Sequence, residues 1–197
     1  MYKKLIIAVT GNPGTGKSTF SKQLSKITKI RNIEINDLAK RYKTIVSYDK
    51  SLNTNIIDTK KLSKKINNLL ENLNENIILT GHLAADLKIN YDIAIVLRLS
   101  LIRLAKRLET RNYPIKKIQE DLLAEAYDYC AKIKENSKEF YEIETAYEKR
   151  QIINYIFALK NKKHKTNKKD IEKIAGKEKE HFSELIDLIN NKNKYKF

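Results

Sequence analysis

At 197 residues the chain has the length of one domain with a substantial core, carrying small inserted lobes at most. Its 40 Lys and Arg against 24 Asp and Glu leave a net charge of +16; this points to an anionic partner such as a nucleotide, RNA or a ribonucleoprotein, although an AT-rich genome also loads a chain with Lys, Asn and Ile. No run approaches a membrane span, the single cysteine (Cys130) excludes an intrachain disulfide or a cysteine zinc site, and Met1-Tyr2-Lys3-Lys4 leads into a strand rather than a signal-peptide pattern, so a cytoplasmic protein is expected.

Leu5-Ile6-Ile7-Ala8-Val9 is a continuous apolar, β-branched run, the pattern of a buried parallel strand. Next, Gly11-Asn12-Pro13-Gly14-Thr15-Gly16-Lys17-Ser18 matches G-x-x-x-x-G-K-[ST], the phosphate-binding P-loop. Phe20, Leu24 and Ile27 then recur at helical spacing, so the motif lies between a strand and a helix, as its mechanism requires. Its glycines let phosphate oxygens approach main-chain N–H groups, and the helix start adds unpaired donors and a positive dipole end. Lys17 can reach the β- and γ-phosphates, and the Ser18 hydroxyl can ligate Mg²⁺.

A short strand is expected over 31–35, followed by a helix over 38–42 capped by Asn36 or Asp37. The segment 31–58 reads as short irregular elements, either a lobe for a second substrate or a plain crossover. A helix over 60–73 presents Leu62, Ile66, Leu69, Leu70 and Leu73 on one face. Strands follow over 76–80 and 92–98, and strands alternating with helices predict a parallel α/β sheet. Ligands in such sheets bind at the strands' carboxyl ends, where Thr80, His82 and Arg98 fall.

A helix over 101–109, a cation-rich turn around Pro114 and a helix over 117–137 suit either a lid over polyphosphate or a solvated hairpin; beside a P-loop the lid is favoured. A strand over 140–144 and a helix over 150–159 close the domain. A basic linker over 160–169 and a helix over 178–190, with Phe182, Leu185, Ile186 and Ile189 on one face, end the chain.

With these residues in view the chain resembles the archaeal adenylate kinase family, relatives of a eukaryotic nuclear adenylate kinase that is also an ATPase in small-ribosomal-subunit maturation. The matching stretches are 10–19, Ile35-Asn36-Asp37-Leu38-Ala39, Tyr48-Asp49, Ile57-Asp58, Gly81-His82-Leu83 and Val96-Leu97-Arg98. Arg107-Leu108-Glu109-Thr110-Arg111-Asn112-Tyr113, Lys116-Lys117-Ile118 and Glu125 also fit. The resemblance implies a three-layer P-loop NTPase fold of the nucleoside monophosphate kinase type. It implies a kinase domain over 1–160, a monophosphate-binding lobe over 32–55 and a lid over 110–120; it covers residues 4–160, and 161–197 read from their own pattern as a basic, partly helical extension outside it. The implied reaction is ATP + AMP giving two ADP with Mg²⁺, accompanied by ATPase activity. Gly11, Gly14, Thr15, Gly16, Lys17, Ser18, Thr19 and Arg111 would bind ATP, with Ser18 on the metal. Asp37, Leu38, Tyr48, His82 and Arg98 would bind AMP, and Lys17, Arg111 and Arg107 would be catalytic. Implied partners are a ribosomal protein of the uS11 family and pre-rRNA, and no membrane.

Two positions depart from the family pattern. Thr80 stands where a Walker B acid is expected; Asp37, Asp49 and Asp58 are candidate substitutes among which the sequence does not choose. If none serves, Thr80→Asp is expected to tighten Mg²⁺ dependence and raise turnover. Asn112 replaces the glycine of an arginine-glycine-tyrosine lid, a mild change because Asn tolerates left-handed backbone. His82 is read as ordering water or a monophosphate, or else as satisfying backbone at a strand end, and Glu125 as a surface residue of the lid helix.

Overall fold

The structure, a computed structural model, describes residues 4–161. In chain order these form β1 (Ile6–Thr10), α1 (Lys17–Thr28), β2 (Arg31–Glu34), α2 (Ile35–Arg41), β3 (Ile45–Asp49), β4 (Thr54–Ile57) and α3 (Thr59–Asn72). There follow β5 (Ile77–Thr80), a 3-10 segment (His82–Asp86), β6 (Tyr91–Leu97), α4 (Leu101–Glu109) and α5 (Ile115–Ala126). A second 3-10 segment (Tyr129–Asn136), β7 (Ser137–Ile143) and α6 (Ala146–Lys160) complete the described chain.

Five strands form one parallel sheet in the order β2-β5-β1-β6-β7. Alternation along β1 builds two cores. Ile7 and Val9 face α1 and α6, meeting Phe20, Leu24, Ile152 and Ile156. Ala8 faces the other side, where Leu38 of α2 and Leu62 and Ile66 of α3 pack. Helices therefore cover both faces, which is why the central strands are apolar without a break. Each fully buried Ile or Leu contributes about 1.5–3 kcal/mol relative to exposure. A third cluster joins Leu101, Leu104 and Leu108 of α4 to Ile118 and Leu122 of α5. The three-layer α/β fold with a parallel sheet is thus as expected. β1 has β5 on one side and β6 on the other, so the chain's direction of growth reverses there and a crevice opens at its carboxyl end.

Several boundaries differ from the sequence reading. The helix expected over 38–42 starts at Ile35, with Glu34 rather than Asn36 or Asp37 at its N-cap. The segment read as irregular is in part an antiparallel hairpin, β3 with β4, which lies apart from the main sheet. The helix expected over 117–137 ends at Ala126. Its pattern is interrupted because Asp128 turns left-handed, with φ 53°, while its carboxylate pairs with Arg98. α6 begins earlier than expected, on a capping box in which Thr145 accepts from the Glu148 N–H and Glu148 accepts from the Thr145 N–H. It also takes in Lys160, the first residue of the expected basic linker. The helix expected over 178–190 and the remainder of that linker lie outside the described residues, apart from Asn161 at the end of α6. No helix among the described residues is long and apolar enough to cross a membrane.

Candidate active site

The P-loop bridges the carboxyl end of β1 and the start of α1. Gly11 has φ 137°, and a Cβ there would sit 2.4 Å from the Leu97 carbonyl oxygen at the end of β6. Gly14 has φ 91°, a conformation L side chains rarely adopt. The loop is closed from within: Thr15 donates to the Asn12 carbonyl through its N–H at 3.2 Å and its hydroxyl at 2.9 Å. Lys17 Nζ donates to the same carbonyl at 2.9 Å, so the side chain folds back over the loop. Burial pushes the Lys17 ammonium down to about 8; Asp121 and Glu125 oppose this and Arg111 adds to it. The N-cap of α1, Gly16, supplies no side-chain bond, which leaves the first-turn N–H groups available to an anion.

Asn12 is the loop's anchor. Its Nδ2 donates to Glu125 Oε2 at 2.6 Å, and its Oδ1 accepts from the Cys130 thiol at 3.7 Å. Burial pushes that thiol up to about 11. Glu125, far from being a surface residue, is 1% exposed and also accepts from Arg98 Nε at 2.8 Å and the Leu99 N–H at 3.2 Å. Arg98 is likewise 1% exposed. Its remaining nitrogens bond Glu142 Oε1 at 2.8 Å, the Glu125 carbonyl at 2.9 Å and the Asp128 carboxylate. Burial opposes its charge, but Glu125, Asp128 and Glu142 outweigh it and hold the guanidinium above its usual value. With every nitrogen engaged, Arg98 is a structural tie between β6, β7 and α5, not the monophosphate ligand expected from the sequence.

Two cavities flank the loop. One, of about 310 Å³, is lined by Gly14, Gly16, Thr19, Arg107, Arg111 and Lys149 among others. Arg107 Nη1 donates to the Gly14 carbonyl at 3.0 Å. Lys149 is half-buried, and its pKa is lowered by burial first and then by Arg107 and Arg103, with Glu144 and Glu148 opposing. Crowded cations of this kind match a polyphosphate. The second cavity, of about 520 Å³, is lined by Asn12, Pro13, Leu52, His82, Lys117 and Asp121 among others. Burial, then Lys17, push the His82 imidazole down to about 4, so it is neutral near pH 7. Asp121 is 7% exposed, and its Oδ2 has no hydrogen-bond partner. The turn between α4 and α5 passes through Asn112 at φ 54°, the left-handed geometry that Asn accepts in place of glycine.

The other expected monophosphate ligands are dispersed. Leu38 is 4% exposed within the core. Asp37 is exposed on the first turn of α2. Tyr48 is 52% exposed on the hairpin and donates its hydroxyl to Asn53. The hairpin instead brings Leu52 and Thr54 to the larger cavity. Ser18 lies as expected at the start of α1, beside the Glu34 carboxylate; burial and then Asp37 raise the Glu34 pKa, and Ser18 and Lys17 oppose. Hydroxyl and carboxylate oxygens beside a phosphate loop suit Mg²⁺, which takes one or two protein oxygens and completes its shell with phosphates and water. Among the described residues no group of three or more His, Cys, Asp or Glu side chains forms a cage for a metal.

Glu34, Asn12, Asp121 and Lys149 were not singled out as site residues from the sequence. For Asp121 and Glu125 a signal exists: they recur with Ile118 and Leu122 on the buried face of α5, where a carboxylate is out of place unless it has a task.

The model of an AAA domain matches residues 7–128. A protein of Methanocaldococcus jannaschii named "Putative adenylate kinase" is 37% identical over 139 residues, covering 71% of this chain and 76% of that one. An adenylate kinase isoenzyme 6 homolog of Schizosaccharomyces pombe is 30% identical over 125 residues, covering 63% and 70%. Among solved structures, a shikimate kinase of Acinetobacter baumannii in complex with shikimate superposes with a TM-score of 0.52 at 14% identity, over 83% of this chain and 97% of that one. That likeness concerns the fold alone. The chain belongs to the AAA-domain family whose model it matches, and to the family of the archaeal proteins named "Putative adenylate kinase".

Proposed function

We propose that the protein is a nucleoside monophosphate kinase that moves the γ-phosphoryl group of ATP to AMP. The observation that carries this reading is the pair of cavities bordering one P-loop, of which the cationic one suits a polyphosphate donor and the other suits an acceptor. In-line transfer needs donor and acceptor on opposite sides of the moving group. The names borne by the relatives at 30–37% identity agree with it.

Phosphoryl transfer asks the protein mainly for position and charge. The loop amides and Lys17 would hold the β- and γ-phosphates, with Lys17 exchanging its bond to the Asn12 carbonyl for phosphate oxygens. Arg107 and Arg111 would neutralise charge on the transferred group. Ser18 would hold Mg²⁺, which when bound draws negative charge from the β- and γ-oxygens. His82, being neutral, would orient the acceptor by hydrogen bonding rather than attract it as a cation. Closure of the turn around Asn112 would keep water from the γ-phosphate.

A second reading is an ATP-driven ribosome assembly switch with little kinase activity, acting with a uS11-family protein and pre-rRNA. The net charge of +16 favours it. Steady-state ADP formation from ATP, with and without AMP, separates the two. The kinase reading predicts strong dependence on AMP, and the switch predicts hydrolysis stimulated by RNA or ribosomal protein. Lys17→Ala should lower turnover by about 100-fold or more, with its unfolding transition preserved because the side chain serves phosphate rather than the core. Near-normal turnover in that variant would contradict the P-loop assignment.

A further inference from the structure

The strand end that carries Thr80 has no acid, and of the three aspartates named from the sequence Asp58 and Asp49 are engaged elsewhere. Asp58 is the N-cap of α3, accepting from the Lys61 N–H at 2.9 Å. Asp49 closes its own turn, accepting from the N–H groups of Ser51 at 2.8 Å and Leu52 at 3.2 Å. Asp37 is exposed on α2, a turn beyond the strand end, and lies near enough to Glu34 to raise its pKa. Thr80 itself is fully buried and donates its hydroxyl to Asn32 Oδ1 at 2.6 Å. Asn32 in turn donates to Ser21 Oγ on α1 at 3.3 Å. Thr80 is therefore held in a chain of hydrogen bonds that fastens the sheet to α1.

That chain fixes where the next residue of the same parity points. β2 runs beside β5, and Glu34 is the register partner of Thr80, as Asn32 is of Ile78. Register partners in a parallel pair project to one face, and residues two apart on a strand share it. Asn32, Thr80 and Glu34 thus all face α1. At the strand's end Glu34 lies near the Ser18 side chain, with Asp37, Lys17 and Lys22 nearby.

We propose that Glu34 supplies the carboxylate that orders the metal's water shell opposite Ser18, the acid having moved one strand across the sheet from the position of Thr80 to its register partner. This rests on the reading of the P-loop as a nucleotide phosphate site. It reverses the expectation for Thr80→Asp: in the presence of Glu34 a second carboxylate would crowd the first and repel phosphate.

The test uses nucleotide affinity rather than turnover. ADP binding is measured by calorimetry in EDTA and in Mg²⁺ for wild type, Glu34→Gln, Thr80→Asp and the double swap, with bound Mn²⁺ followed by electron paramagnetic resonance. Glu34 makes no side-chain cap bond to α2, so the glutamine is compatible with the fold. Wild type should bind ADP about tenfold or more tightly in Mg²⁺ than in EDTA. Glu34→Gln should bring the two affinities together by weakening the Mg²⁺ value alone, Thr80→Asp should weaken ADP in EDTA, and the double swap should restore the metal's advantage. An undiminished advantage in Glu34→Gln, or a swap that fails to restore it, would overturn the relocation. Absence of ADP binding by wild type in both conditions would instead remove the phosphate-site reading, and the proposal with it.

Discussion

Asp121 carries the most exposed cost in the site. Burial, aided by Glu120, pushes its carboxyl up to about 6 against the pull of Lys117, Lys17 and Arg111, and one oxygen has no partner. Its folded pKa lies above the unfolded value, so the folded chain holds a proton between about pH 4 and 6 that the unfolded chain releases. Any stability this gives is present at low pH and is lost as pH rises through about 6. Asp121→Asn keeps the shape without the charge, and is expected to stabilise the protein at pH 7 by on the order of 2 kcal/mol while leaving it unchanged at pH 4. Urea unfolding of both proteins at the two pH values measures this; a variant no more stable than wild type at pH 7 would show that the surrounding cations already offset the charge. Lys17 sits within the same electrostatic field, so the residue that would hold phosphate and the acid that lines the larger cavity are tuned together.

At the scale of elements, Glu125 ties α5 to the P-loop. Glu125 binds Asn12 of the loop, Arg98 of the β6 end and the Leu99 N–H at once. Glu125→Ala leaves part of this buried charge uncompensated, a change that costs about 3–5 kcal/mol in comparable sites. Chemical denaturation should show that loss, and ADP binding should weaken further because Asn12 no longer fixes the loop; unchanged stability would refute the anchoring role. The same cluster explains which elements were legible beforehand. β1, β5 and β6 announce themselves because strands covered on both faces must be apolar throughout. The end of α5 does not, since apolar spacing continues through Cys130 and the break depends on Asp128 reaching Arg98 from a distant strand. The hairpin of β3 and β4 is largely exposed, so no inside-outside alternation marks it. Glu34 was invisible as a site residue for a different reason: its neighbour Thr80 is distant in sequence and becomes adjacent only when the strand order places β2 beside β5. The P-loop needed no such knowledge, because its chemistry is carried by contiguous residues.

For the whole molecule, the described residues close both faces of the sheet. α6 packs on α1 and ends where Lys160 Nζ donates to the Thr28 carbonyl at 2.6 Å. A chain ending after Asn161 is therefore expected to fold cooperatively and bind ADP as the full chain does; insolubility or lost binding would show that the core extends beyond it. The net charge of +16 is a property of the whole chain and bears on association rather than on the fold. The central claim is that two cavities sharing one loop serve a donor and an acceptor of phosphoryl groups. It is tested most directly by following ATP that carries a radioactive γ-phosphate, with AMP present, and locating the label after partial turnover. The account predicts label in the β-phosphate of newly formed ADP, with little inorganic phosphate. Label released chiefly as inorganic phosphate, at a rate indifferent to AMP, would contradict it.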